Sequence, residues 1–320
     1  MKKIEEILQG VKTAAIAGHV NPDGDCVGSC MALYHYLGDN DKEIHADVYL
    51  EEMRPVFGHL KLLDEVKKEA QAQKIYDLLI LLDVSSPDRI GVAGEYYKTA
   101  KKTVCIDHHI TNPGLGDINH IVPEASSTSE VLFDLMEKEK ISADTASALY
   151  TGIIHDCGVF QYSNTSSKTM EAAGWLMDQG IPFTKIIEDS FYKKSYNQNR
   201  MMGYILLNSR LYLEGRCIGA CASRESMEQF QVEARDLDGI INQMRLTEDV
   251  EAAVFLYAVG ENRWKVSMRS NGKVDVSAIA LSFGGGGHFM AAGCTLEGEQ
   301  EKIMEKIVEA VKQQLGVKKV

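Results

Sequence analysis

The sequence predicts an α/β protein: a doubly wound, mainly parallel sheet in a first domain, followed by a second, smaller α+β domain. Asp77 to Val84 is almost wholly apolar, as expected of a parallel strand buried on both faces. Short apolar runs alternate with stretches of helical spacing through the first half of the chain, the order of a sheet wound with helices. Beyond residue 205 the pattern changes to strands and helices of a smaller mixed unit. At 320 residues, two domains can each bury a core. The divisions fall at 1–184, a linker at 185–205 and a second domain at 206–320.

In chain order, residues 3–10 have the spacing of a short amphipathic helix. Ala14 to Ala17 reads as a buried strand that breaks at the turn signal Asn21-Pro22. A helix follows from Val27 to Leu37, stopped by Gly38. Ile44 to Tyr49 alternates as a strand, Leu60 to Ala70 has a helical pattern, and Lys102 to Asp107 is a further strand. Helices are predicted over Ser127–Lys138, Ala143–His155 and Thr169–Gln179, with Gly158–Tyr162 extended between the last two. Residues 185–205 are polar and tyrosine-rich, a linker with a helical part. In the second domain, Arg216–Ala222, Ala252–Val259 and Arg263–Met268 read as strands. Glu233–Met244, Val274–Leu281 and Glu299–Leu315 read as helices.

Composition narrows the function. Lys plus Arg number 34 and Asp plus Glu 46, a formal charge of −12, which argues against broad binding of long nucleic acid. A small phosphorylated substrate, held by a few cations, remains open. The seven cysteines are scattered and lack a CxxC pair, as in reduced thiols of a cytoplasmic protein. No apolar stretch approaches the ~18 residues that a membrane span needs, so no membrane partner is expected.

The chemistry concentrates at predicted strand ends. After the first strand, His19, Asp23 and Asp25 stand within seven residues, with Gly24 between the two carboxylates. By itself that segment reads equally as a solvated acidic turn capping a helix. Asp83 closes a second strand, and Asp107-His108-His109 closes a third. Asp156 follows the helix Ala143–His155. In a doubly wound sheet the carboxyl ends of the strands share one rim. Hard oxygen donors with imidazole suit Mn²⁺ better than Zn²⁺ or Mg²⁺. The candidates outnumber the ligands of one ion, and two ions ~3.5–4 Å apart with one bridging carboxylate would use them.

These residues, His19-Val20-Asn21-Pro22-Asp23-Gly24-Asp25, Asp83, Asp107-His108-His109 and Asp156, resemble the four motifs of the DHH phosphoesterase superfamily. Gly284-Gly285-Gly286-Gly287-His288, followed by Ala291-Ala292-Gly293, resembles the signature of its accessory DHHA1 domain. The compact two-domain form is similar to the bifunctional oligoribonuclease and pAp phosphatase group, the nanoRNases. That resemblance implies His19, Asp23 and Asp83 on one ion and Asp25, Asp83, His108 and Asp156 on the other, with Asp83 bridging. It implies His109 against the scissile phosphate and Asp107 orienting a neighbour. The cofactor expected is a pair of divalent ions, Mn²⁺ first, with Mg²⁺ or Co²⁺ as alternatives. In the second domain, Arg269, His288 and the backbone of Gly284, Gly285, Gly286 and Gly287 are expected to hold substrate, with Tyr162 as a further contact.

The reading is therefore a phosphoesterase that cuts short oligoribonucleotides to mononucleotides and removes the 3′-phosphate of pAp. A cyclic di-AMP or pApA phosphodiesterase is the alternative enzyme. A nucleotide-binding sensor is the alternative without catalysis, disfavoured because every motif ligand is present. Expected partners are short RNA or small nucleotides and, at most, a second copy in a homodimer.

Overall fold

The computed structural model describes residues 3–71 and 73–316. Two compact units meet in sequence between Lys193 and Lys194, inside the stretch 185–205.

The first unit begins with helix α1 (Glu5–Leu8) and then alternates: β1 (Thr13–Ala17), α2 (Gly24–Asn40), β2 (His45–Tyr49), β3 (Leu78–Leu82), α3 (Tyr96–Thr99), β4 (Thr103–Asp107) and β5 (Ile118–Ile121). The five strands form one sheet in the order β2-β1-β3-β4-β5, every pair parallel. Leu78–Leu82 is buried at every position, which is why its sequence is uniformly apolar. Helices α4 (Thr128–Leu135), α5 (Ala143–Asp156), α6 (Ser167–Asp178) and α7 (Phe183–Ile187) complete the unit, and a π-helical turn, Glu188–Tyr192, extends α7. The crossing of α2 and α5 is close enough that a Cβ on Gly28 would lie 2.7 Å from the Ala148 carbonyl oxygen.

The second unit opens with α8 (Tyr196–Leu207). It continues through β6 (Arg210–Tyr212), β7 (Cys217–Ala222), α9 (Arg224–Phe230), α10 (Ile240–Arg245), β8 (Ala252–Gly260), β9 (Arg263–Ser270), α11 (Val276–Ser282), β10 (Gly286–His288), β11 (Ala291–Glu297) and α12 (Gln300–Leu315). Its sheet runs β10-β11-β9-β8-β7-β6, with only the β7–β8 pair parallel. The α/β class and the two-part architecture are thus as the sequence predicts.

Several local expectations need correction. Leu60–Ala70 is not a helix: only Leu63–Glu65 turns, as 3₁₀, and Val66 then continues extended. Gly158–Tyr162 is not extended. Gly158, Val159 and Phe160 all take left-handed backbone angles, φ 58°, 52° and 66°, and wind one reversed turn. Burial of Phe160 and Val159 against the core holds that strained conformation. The helix expected over Glu233–Met244 is broken at Gly239, φ 89°, into a 3₁₀ turn and α10. Residues 185–205 are largely helical: Ile186 and Ser190 are buried in the first unit, Met201 and Ile205 in the second.

Candidate metal centre

Because β1, β3 and β4 are parallel neighbours, their carboxyl ends lie side by side. His19 follows β1, Asp83 follows β3, and Asp107-His108-His109 closes β4. The order 2-1-3 also places the direction switch of the sheet between β1 and β3, where crevices form in such folds.

Asp83 is the pivot. It is 3% exposed and sits at φ 60°, a left-handed angle that Asp tolerates better than most residues. Its two oxygens face different groups. Oδ2 lies 3.4 Å from His19 Nε2. Oδ1 lies 3.7 Å from His108 Nε2 and 3.5 Å from His109 Nδ1, and accepts a hydrogen bond from Thr128 Oγ1 at 3.2 Å. On the first side, His19 Nε2 is also 3.6 Å from Asp23 Oδ2. On the second, His108 Nε2 is 3.1 Å from Asp156 Oδ2, and Asp25, His108 and Asp156 bring ligand atoms within 4.8 Å of one another.

Asp23 caps α2, accepting from the amides of Asp25 and Cys26. Its other oxygen turns to His19, so one residue both starts the helix and faces the centre. Asp25, inside the first turn of α2, is anchored by a second helix: its oxygens accept from the amides of Thr128 at 2.6 Å and Ser129 at 2.9 Å, at the N-terminus of α4. Sequence reasoning missed Thr128 and Ser129. The signal was there, since Ser127-Thr128-Ser129 reads as a helix start, and Ser127 caps α4 through the Glu130 amide. It also missed Arg89, whose Nη2 lies 3.2 Å from His19 Nδ1.

Asp107 brings a ligand atom within 4.8 Å of Asp83, His108 and His109, and both of its oxygens accept hydrogen bonds. Oδ1 accepts from His109 Nδ1 at 2.7 Å and from the His108 amide at 2.8 Å, while Oδ2 accepts from Asn112 Nδ2 at 2.6 Å. It therefore fixes the ring of His109 and leaves Nε2 as that ring's free edge. Burial pulls Asp107 up, and the His109 bond outweighs it, so its carboxyl lies below the usual range.

Electrostatics supply the test of whether a cation fits. Burial first, and then the charge of Asp25, pushes Asp83 and Asp156 well above the ordinary carboxylate value. Asp25 is itself raised by burial, against the pull of His108. Asp23 is held at about 2, where the His19 bond overcomes desolvation. Buried carboxylates that repel, faced by imidazoles and free of Lys or Arg ion pairs among the described residues, are a donor set that divalent cations neutralise. A carboxyl whose folded pKa is raised contributes stability below its unfolded value, ~4, and loses it as pH rises through the folded value. Protein stripped with chelator should therefore have its largest Tm deficit, relative to metal-loaded protein, at neutral pH. Calorimetry across pH should show the gap narrowing towards pH ~4–5; a gap that widens on acidification contradicts the assignment.

In the second unit, Arg269, Ala291 and His288 share one register row across β9, β11 and β10. Directly opposed residues of antiparallel strands project to the same face, two strand spacings or ~10 Å apart for the outer pair. Gly284 takes φ 75°, while a Cβ on Gly285 would strike the Gly293 carbonyl oxygen at 2.2 Å. Arg269 Nη1 donates to the carbonyl of Met268 at 3.0 Å. In the first unit Tyr162, 42% exposed, stacks over Gly158 in the reversed turn after Asp156.

A doubly wound sheet that gathers carboxylates and imidazoles at three adjacent strand ends offers the kind of donor set that metal-dependent hydrolases use. The model of the DHH family N-terminal domain matches residues 13–153, and that of the DHHA1 domain matches residues 217–316. The bifunctional oligoribonuclease and PAP phosphatase NrnA of Thermus thermophilus is 31% identical, over 98% of this chain and 94% of its own length. Its namesake from Bacillus subtilis is 28% identical over 89% of each. An exopolyphosphatase-related protein from Bacteroides fragilis has a TM-score of 0.90 at 25% identity, covering 98% of this chain and 96% of that one. This chain belongs to the DHH/DHHA1 phosphoesterase superfamily. Among the described residues, no helix is long and apolar enough to cross a membrane.

Proposed function

We propose that this phosphoesterase hydrolyses short oligoribonucleotides to mononucleotides and removes the 3′-phosphate of pAp, using two divalent ions, Mn²⁺ in preference. The observation that carries the two-ion reading is Asp83, whose Oδ2 faces His19 and whose Oδ1 faces His108. His19, Asp23 and Asp83 would hold one ion; Asp25, Asp83, His108 and Asp156 the other. When bound, the ions neutralise phosphate oxygens and acidify water. His109, its Nδ1 committed to Asp107, offers Nε2 to the scissile phosphate. That edge can donate to a phosphate oxygen or hold the proton that the leaving 3′ oxygen takes up. The substrate class rests on similarity to the two NrnA proteins named above.

The second domain would supply recognition. Arg269 and His288, in one register row, would grip a phosphate or the terminal nucleotide, with the Gly284–Gly287 backbone beside them. Arg269→Ala should raise KM for pAp and dinucleotides by roughly 10- to 100-fold, the loss of a charge-assisted hydrogen bond. It should leave cleavage of bis(p-nitrophenyl) phosphate nearly unchanged. Equal losses on both would place Arg269 in the chemical step.

The deciding experiment is a panel of pAp, di- to pentanucleotides, pApA and cyclic di-AMP, with Mn²⁺ and with chelator. Turnover of pAp and short oligonucleotides that stops in chelator is expected. Hydrolysis confined to cyclic di-AMP or pApA would select the dinucleotide phosphodiesterase, and tight binding without turnover a sensor.

A further inference from the structure

Among the described residues, Cys26 is the one thiol that shares a ligand-sized cluster with the centre. Its sulfur, His19 and Asp83 bring ligand atoms within 4.8 Å of one another. The sulfur is placed there by backbone. Gly18 leaves the space it occupies, since a Cβ at Gly18 would lie 2.1 Å from Cys26 Sγ. The amide of His19 donates to that sulfur at 3.2 Å. Cys26 also lies in the first turn of the 17-residue helix α2.

We propose that Cys26 completes, with His19 and Asp83, a site that captures thiophilic divalent ions, Zn²⁺ and Cd²⁺, on the side of the centre where His19 and Asp83 stand. Hard ions such as Mn²⁺ select the oxygens and imidazoles and leave the sulfur unused, whereas a soft ion gains a thiolate. The spacing fits. Zinc–ligand distances of ~2.0–2.3 Å at a tetrahedral angle separate ligand atoms by ~3.3–3.6 Å, and His19 Nε2 lies 3.4 Å from Asp83 Oδ2. On capture the S–H bond breaks, its electron pair goes to the metal and the proton goes to solvent. Before that, burial, with Cys30 alongside, holds the thiol protonated. The captured ion displaces the hard ion from His19 and Asp83, so zinc inhibits Mn²⁺-supported hydrolysis. The proposal rests on His19 and Asp83 being cation ligands and on no particular substrate.

Titration of the chelator-stripped full chain with Cd²⁺, and separately with Co²⁺, tests it. Wild type should develop a sulfur-to-metal charge-transfer absorption at one equivalent, and Cys26→Ser, close to isosteric, should not. Cys26→Ala provides a second variant if the serine protein does not reach the wild-type circular dichroism spectrum. With pAp as substrate and Mn²⁺ present, either variant should need ~10-fold or more zinc for half-inhibition. Absence of the band in wild type, or its survival in a folded Cys26 variant, overturns the proposal. A band that depends on Cys26 in a protein that hydrolyses none of the nucleotide panel upholds the thiolate site and rejects the substrate reading instead.

Discussion

Asp83→Ala should abolish turnover, with kcat on pAp falling ~10³-fold or more. Ligands that act as a unit do not add, so Asp83→Ala combined with Asp23→Ala should be little worse than Asp83→Ala alone. Loss of Asp23, which reaches the centre through His19, should be the milder single change. Asp83 also stands at φ 60°, where alanine is strained. Asp83→Asn separates charge from backbone: asparagine accepts the same left-handed angle and can keep the Thr128 hydroxyl bond. Without added metal at neutral pH the Asn variant should melt at or above wild type, because one of the repelling buried carboxylates is gone, and should still lack activity. A folded Asp83→Asn enzyme with near wild-type kcat would remove Asp83 from the centre.

The second large effect comes from a residue with no side chain. A Cβ on Gly152, in the middle of α5, would sit 1.9 Å from Ser129 Oγ and 2.7 Å from Asp25 Oδ1. Gly152→Ala should therefore destabilise the protein by ~1–3 kcal/mol, the usual range for overpacking. It should also weaken Mn²⁺ binding, because the methyl group pushes on the carboxylate held by α4. Gly174 in α6 is the control, since nothing lies within 4 Å of its would-be Cβ. Gly174→Ala should stabilise by up to ~1 kcal/mol through helix propensity. Thermal melts and metal titration calorimetry on the pair decide it: equal Tm values for the two variants would refute the clash.

The catalytic half of the sequence was legible because its chemistry sits where period and turn signals are strongest. Leu79-Ile80-Leu81-Leu82-Asp83 announces a buried strand and what stands at its end. The helix α2 starts earlier than Val27, at Gly24, and the two readings of the acidic segment are both right at Asp23, which caps the helix and faces His19. Edge elements were harder. β5, Ile-Asn-His-Ile, is half exposed and has no unbroken apolar run, so no strand was expected there. β10, Gly-Gly-His, lacks strand propensity altogether and exists because β11 pairs with it. The hold of the α4 amides on Asp25 joins residues 103 and 104 positions apart, a pairing that no local pattern encodes. The reversed turn at 158–160 was unreadable for another reason: valine and phenylalanine are poor left-handed residues, and only packing forces them there.

The sheet order has a consequence for the history of each molecule. Every strand pair behind the centre is parallel and needs a crossover, so the contacts that bring His19, Asp83 and His108 together close long loops. Such pairings form late and slowly compared with the helices between them. An unfolded or half-folded chain therefore offers a cation only scattered side chains. Cations bound at the centre would meet a finished scaffold, and what they would change is the rate at which it comes apart rather than the rate at which it forms.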